Sequence, residues 1–168
     1  MSFDHPAFPD STSLEHVPSV NQLEQDRALF VGAKYASYYQ AQFEKITPKK
    51  QYAGFNIAAF FLGLVWLFYR KMYRYGFMAI GLIVVIGMVE ILLGIESSGA
   101  NIGLAVAFGM FGNTLYKHHV DQQIAKVRQF GNSNVNTELE KHGGINLIVG
   151  SILLVIWLGL VALAISAS

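Results

Sequence analysis

The chain has 168 residues and no cysteine. Disulfides, cysteine-ligated metals and thiol catalysis are therefore excluded. Charge is scarce as well: Asp, Glu, Lys and Arg make up 14% of the residues, against roughly 25% in a soluble domain. Proline occurs only at Pro6, Pro9, Pro18 and Pro48. No stretch alternates polar and apolar residues with the period of two that marks a strand. There is no Ser/His/Asp set, no glycine-rich phosphate loop, no pair of catalytic carboxylates and no basic patch suited to nucleic acid. Neither an enzyme nor a cofactor is expected from these residues. The adjacent His118 and His119 point to different helix faces, and His142 is distant, so no metal site is expected either.

What the chain does have is apolar length. The hydrophobic fraction is 53%, and the charges are gathered into blocks between apolar runs. That is a membrane composition. In lipid only helices or closed barrels satisfy the backbone, and without period-two patterning helices are the expectation. The expected fold is all-α: a polytopic membrane protein with three transmembrane helices, one re-entrant or interfacial helix, and cytosolic amphipathic helices.

In chain order, 1–20 is a polar tail with neither the basic start nor the apolar stretch of a signal peptide. Residues 21–47 form an amphipathic cytosolic helix, with Asn21 and Glu24 at capping-box spacing and Thr47-Pro48 as its stop. Its stripe of Val31, Tyr35, Tyr38/Tyr39, Phe43 and Ile46 recurs every three or four residues. Residues 54–75 hold an aromatic segment whose apolar part, 55–68, reaches only ~21 Å as a helix, short of the ~30 Å hydrocarbon core. Two spans follow, 77–95 and 100–116, as an antiparallel hairpin around a turn at 96–99. Residues 117–144 form a cytosolic helix and loop, with Thr137 and Glu140 as a second capping box. The last span is 145–165.

Charge sets the threading, because Lys and Arg near spans favour the cytoplasmic side. If 55–68 does not cross and the N-terminus is inside, all 12 Lys and Arg are cytoplasmic. If it crosses, only Arg27, Lys34, Lys45, Lys49 and Lys50 stay inside. The first arrangement is the expectation, with the N-terminus in, the C-terminus out, 55–68 re-entrant or interfacial, and Gly63 as a bend. Trp66, Tyr69, Arg70, Lys71, Tyr73 and Arg74 then anchor the interface, the cations facing anionic lipid headgroups.

Two blocks also resemble a known family. Residues 55–73, FNIAAFFLGLVWLFYRKMY, are similar to the core of the domain-of-unknown-function 2628 family, with Ile57 where a Trp is frequent. Gly109-Met110-Phe111-Gly112-Asn113-Thr114-Leu115-Tyr116-Lys117-His118-His119-Val120 resembles its second block, a GxxGNxxYxxH pattern. The resemblance spans roughly residues 33–127. It implies a small bacterial inner-membrane protein and supplies no reaction.

Three further groups of residues carry functional expectations. Glu90 is the one ionisable side chain inside a span and a possible ion or proton site, flanked by Gly87 and Gly94. Small residues on 100–116, namely Gly103, Ala107, Gly109 and Gly112, together with Asn113, permit close helix packing and make this helix the expected centre of the bundle. Tyr35, Tyr39, Phe43, Tyr116, Val120 and Ile124 form apolar stripes for docking a partner. The functional expectation is a non-enzymatic accessory or scaffold subunit that touches membrane lipids and another membrane protein or itself. The alternative is an oligomeric channel or transporter using Glu90 and the Gly/Ala-rich helix.

Overall fold

The structure is a computed structural model that describes residues 19–95, 99–130 and 134–166. The expected tail through residue 18, residues 96–98 of the first turn and residues 131–133 of the expected cytosolic helix and loop lie outside those residues.

The described chain is helical, with one isolated bridge between Thr47 and Lys50. Helix α1 is Val20–Val31, and Ser19 caps it, its hydroxyl accepting from Gln22 N–H at 3.3 Å. This corrects the expected Asn21 cap; Glu24 bonds instead to Arg27 at 2.7 Å. Nor is 21–47 one helix. Gly32, at φ 75°, breaks it, a conformation an L side chain rarely adopts. The chain resumes as a π-helical turn, Tyr35–Tyr39, that runs directly into α2, Gln40–Lys45. Such wide turns cluster at functional sites.

Helix α3, Ile57–Tyr69, is the aromatic segment. Asn56 caps it, its side-chain oxygen accepting from Ala59 N–H at 3.0 Å. The expected bend is present: Gly63 sits at φ 31°, ψ −100° and breaks the helix in its middle. Helices α4, Tyr73–Leu93, and α7, Leu147–Ser166, have 21 and 20 residues, so each spans about 30 Å. Between them α5, Gly99–Phe130, runs unbroken for 32 residues, joining the expected span and the cytosolic helix after it into one rod. Helix α6, Val135–His142, follows Asn134, so Thr137 lies inside the helix and does not cap it.

Two stretches among the described residues, Tyr73–Leu93 and Val135–Ser166, are long and apolar enough to cross a membrane, not the three expected. The first half of α5 falls short because Asn101 interrupts its start and Asn113 and Thr114 end its apolar run.

The centre of the bundle is α3, and this corrects the expectation that 100–116 holds it. Helix α3 packs on α4, α5 and α7, whereas those three make at most slight contact with one another. The means is aromatic rings seated on glycine. Phe55 lies against Gly109 of α5, Phe68 against Gly76 of α4 and Tyr69 against Gly150 of α7, each where a Cβ would collide with the ring. Gly112 faces Ala59, whose methyl a Cβ on Gly112 would strike. Gly103 has open space around it and Ala107 is half-buried, so the tight contacts on α5 start at Gly109.

Above this crossing sits a compact cap of α1, the π-turn, α2, α6 and the second half of α5. Its core includes Phe30, Tyr35, Tyr39, Phe43, Tyr116, Val120, Ile124 and Leu139. Helices α4 and α7 start from the same region of the cap. Asn146, just before α7, donates its N–H to the Tyr69 carbonyl at 2.8 Å and its amide to the Tyr73 hydroxyl at 2.9 Å. Both apolar helices therefore depart from one level, and beyond their first turns most large side chains on them are exposed.

Candidate functional site

The two sequence blocks meet where the cap joins α3. Helix periodicity puts Gly109, Gly112, Asn113, Tyr116, His119 and Val120 on one face of α5, and that face is buried. Asn56 N–H donates to the Gly109 carbonyl at 2.7 Å. The Asn56 amide donates to Asn113 Oδ1 at 2.9 Å, and Asn113 Nδ2 reaches the Tyr38 hydroxyl at 3.3 Å and the Gly54 carbonyl at 3.4 Å. One asparagine from each block thus satisfies the other in the interior, as a buried amide requires.

Beside this pair lies Arg70, 6% exposed. Its guanidinium carbon stands 4.7 Å over the ring of Tyr39, 5.0 Å over Tyr116 and 5.8 Å over Tyr69. The side chain donates to the Tyr116 hydroxyl at 3.5 Å, and its Nε has no partner. Among the described residues no carboxylate pairs with it. A guanidinium is a permanent cation, and burying one without an acid is costly; the aromatic faces offset part of that. Arg70 lines a cavity of about 560 Å³, together with Lys34, Tyr39, Asn56, Trp66 and Tyr69.

The cap is closed by ion pairs that the sequence did not announce. Arg27 grips Asp121 of α5 with two bonds of 2.8 Å and Glu24 with one of 2.7 Å, while the Tyr35 hydroxyl donates to Glu24. Burial opposes the charge on Glu24, but the bonds from Tyr35 and Arg27 and the Arg27 charge outweigh it and hold the carboxyl below its ordinary value. Burial works against the charge on Arg27 too, and Asp121 and Glu24 more than reverse it. A second pair joins Arg128 to the buried Asp26 at 2.5 and 2.7 Å.

The expected site residues are distributed as follows. Of the interface set, Tyr73 and Arg74 are exposed, Tyr69 is half-buried, and Trp66 and Arg70 are buried. Lys71 is also half-buried and donates to the carbonyls of Gly143 at 2.5 Å and Lys141 at 3.1 Å. Trp66 and Lys71 are therefore not a free anchoring surface, since packing and hydrogen bonds within the chain have claimed them, and Arg70 is withdrawn into the wall of the cavity. The docking stripe is corrected on the same ground. Tyr35, Tyr39, Phe43, Tyr116, Val120 and Ile124 are each at most 5% exposed, because the two stripes face each other. Glu90 is half-buried and lines a separate cavity of about 510 Å³ between α4 and the start of α5, with Val85, Ile86 and Val89 as neighbours. Among the described residues no group of His, Asp and Glu is placed to hold a metal.

A family model described as "Protein of unknown function (DUF2628)" matches residues 21–122. The chain belongs to this family. No curated protein and no solved structure matches it. The DUF2628 segment starts earlier than the resemblance seen in the two blocks and takes in α1. It runs from α1 to Gln122 of α5, so it contains the Asn56–Asn113 pair, the Arg27–Asp121 bridge and the Arg70 cavity. Helices α6 and α7 lie beyond it. Sequence reading missed Asn56, Glu24, Arg27 and Asp121. Asn56 alone left a signal, a capping side chain at the head of an apolar run.

Proposed function

We propose that the protein is a non-enzymatic integral membrane protein, an accessory or scaffold subunit of a bacterial inner-membrane complex. The observation that supports this is the contrast between its halves. The cap consumes its aromatic stripes and charges in its own core, whereas α4 and α7 hold out bare apolar faces and scarcely touch each other. Lipid, or the helices of a partner, would cover such faces. The shared departure level of α4 and α7 favours a third pass. If both cross in the same direction, the chain must return between them, and the first half of α5 is the segment available. Cations follow the same logic: Arg70, Lys71, Arg74, Lys117 and Lys141 all sit at the cap end, which the positive-inside rule makes cytoplasmic. The N-terminus is then inside and the C-terminus outside.

The test is twofold. The chain should stay in the membrane pellet after alkaline carbonate extraction, and a stoichiometric membrane partner should copurify in mild detergent. Release by carbonate overturns the membrane reading; recovery of the chain alone from native membranes overturns the accessory reading. The cavity at Glu90 favours a second reading, a channel or transporter, for which Glu90→Gln would abolish ion flux in proteoliposomes.

A further inference from the structure

We propose that the Arg70 cavity is a binding site for the phosphate of an anionic membrane phospholipid, with the headgroup inside and the acyl chains leaving along the start of α3. The choice of a lipid as the phosphate's source rests on the membrane reading above; the anion chemistry does not.

The first ground is charge. Among the described residues Arg70 is a buried cation without an acid, and its Nε–H has no acceptor. Buried polar groups are almost always satisfied, and a lone buried charge is the costliest exception. The unpaired donor belongs to a residue that lines an open cavity. Lys34 lies on the same lining, and no Asp or Glu does. Two cations with no counter-charge select an anion, and a guanidinium flanked by an ammonium suits phosphate oxygens.

The second ground is shape. The cavity lies between the π-helical turn and the head of α3, at the level from which α4 and α7 depart. Its polar wall comes from the turn and from Asn56. Its other wall is Phe55, Ile57 and Ala58, of which Phe55 is 42% and Ile57 67% exposed. A small soluble anion has no use for that apolar side; an amphiphile does. The π-turn is what makes room, since its wider winding carries Ser37, Tyr38 and Tyr39 onto the cavity wall together. Tyr39 and Tyr69 hold the guanidinium by its face, one of its edge nitrogens donates to the Tyr116 hydroxyl, and Nε is left without a partner.

The test uses the full chain purified in dodecyl maltoside, so that it does not depend on threading. The chain has two tryptophans, and Trp157→Phe leaves Trp66, on the cavity wall, as the reporter. Three probes are titrated: dioctanoyl phosphatidylglycerol, inorganic phosphate, and dioctanoylglycerol, which has the chains without the phosphate. The phosphatidylglycerol should change Trp66 emission saturably, while the other two act only weakly or without saturation. Lys34→Gln should weaken its binding about fivefold, the value of one basic contact near a lipid surface, and Arg70→Gln should abolish it. Lys45→Gln, outside the cavity, should change nothing. Lys34 is exposed, so its variant tests the site even if Arg70→Gln fails to fold. Equal binding of inorganic phosphate overturns the lipid assignment. A response to dioctanoylglycerol as strong as to the phospholipid, an equal loss in Lys45→Gln, or no saturable response from the folded protein overturns the anion site itself.

Discussion

Gly143 marks how closely the cap is fitted. Its N–H donates to Leu139 at 2.9 Å, the next N–H donates to the Phe30 carbonyl at 2.7 Å, and a Cβ on Gly143 would strike that same carbonyl. Gly143→Ala should cost about 1–3 kcal/mol by overpacking against backbone that cannot rotate away, read as a lower melting temperature in detergent. His119 offers a second test at this scale. It is buried edge-on between Phe30 at 6.1 Å and Tyr75 at 6.0 Å. Burial, helped by the neighbouring His118, pushes it down from 6.5 to about 4. The unfolded chain therefore takes up a proton between those values and the folded one does not, so stability falls as pH drops through that window. On the order of 2 kcal/mol should be lost between pH 6.5 and 4, and His119→Phe should flatten that part of the profile. An unchanged slope in the variant would clear His119 of the effect. Single residues such as these were the least legible in the sequence. Arg27 reads as part of a polar face, yet it is buried by a bridge to Asp121, 94 positions away, and no local pattern encodes a partner at that distance.

For the elements, periodicity located the stripes and left open what each would face. The tyrosine stripe and the stripe after Tyr116 are real, but each is the other's partner. The same ambiguity holds for the small residues of α5: spacing cannot tell a glycine that receives a ring from one that meets open space. Length was more informative. The shortness of 55–68 and the glycine in its middle were both readable, and they describe a helix that bends at Gly63 and packs between longer ones. Which helix is central was not readable, because seating Phe55, just before α3, and Phe68 and Tyr69 of α3 on Gly109, Gly76 and Gly150 needs three distant segments at once. The contrast between Gly109 and Gly103 tests this arrangement. Gly109→Leu should displace Phe55 and destabilise the protein by about 1–3 kcal/mol, while Gly103→Leu should be neutral or slightly stabilising in a helix interior. Equal losses, measured as detergent melting temperatures, would show that α5 packs by a face other than the one against α3.

At the scale of the whole molecule, the all-helical character and the family were legible, the first from composition and the second from two blocks that turn out to be spatial neighbours. The number of long apolar helices was overestimated, because α5 is half apolar and half polar within one rod. The central claim is that this rod and the bare helices beside it thread a bilayer with the cap on the cytoplasmic side. The chain has no cysteine, so single cysteines can be placed at will. Accessibility to an impermeant thiol reagent in intact cells tests the claim most directly, with Ser98→Cys and Ser168→Cys, which in sequence adjoin the start of α5 and follow α7, and Lys45→Cys, exposed on the cap. The account predicts labelling of Ser98→Cys and Ser168→Cys from outside, and of Lys45→Cys only after the membrane is opened. Labelling of Lys45→Cys in intact cells, or protection of Ser98→Cys and Ser168→Cys there, would contradict it.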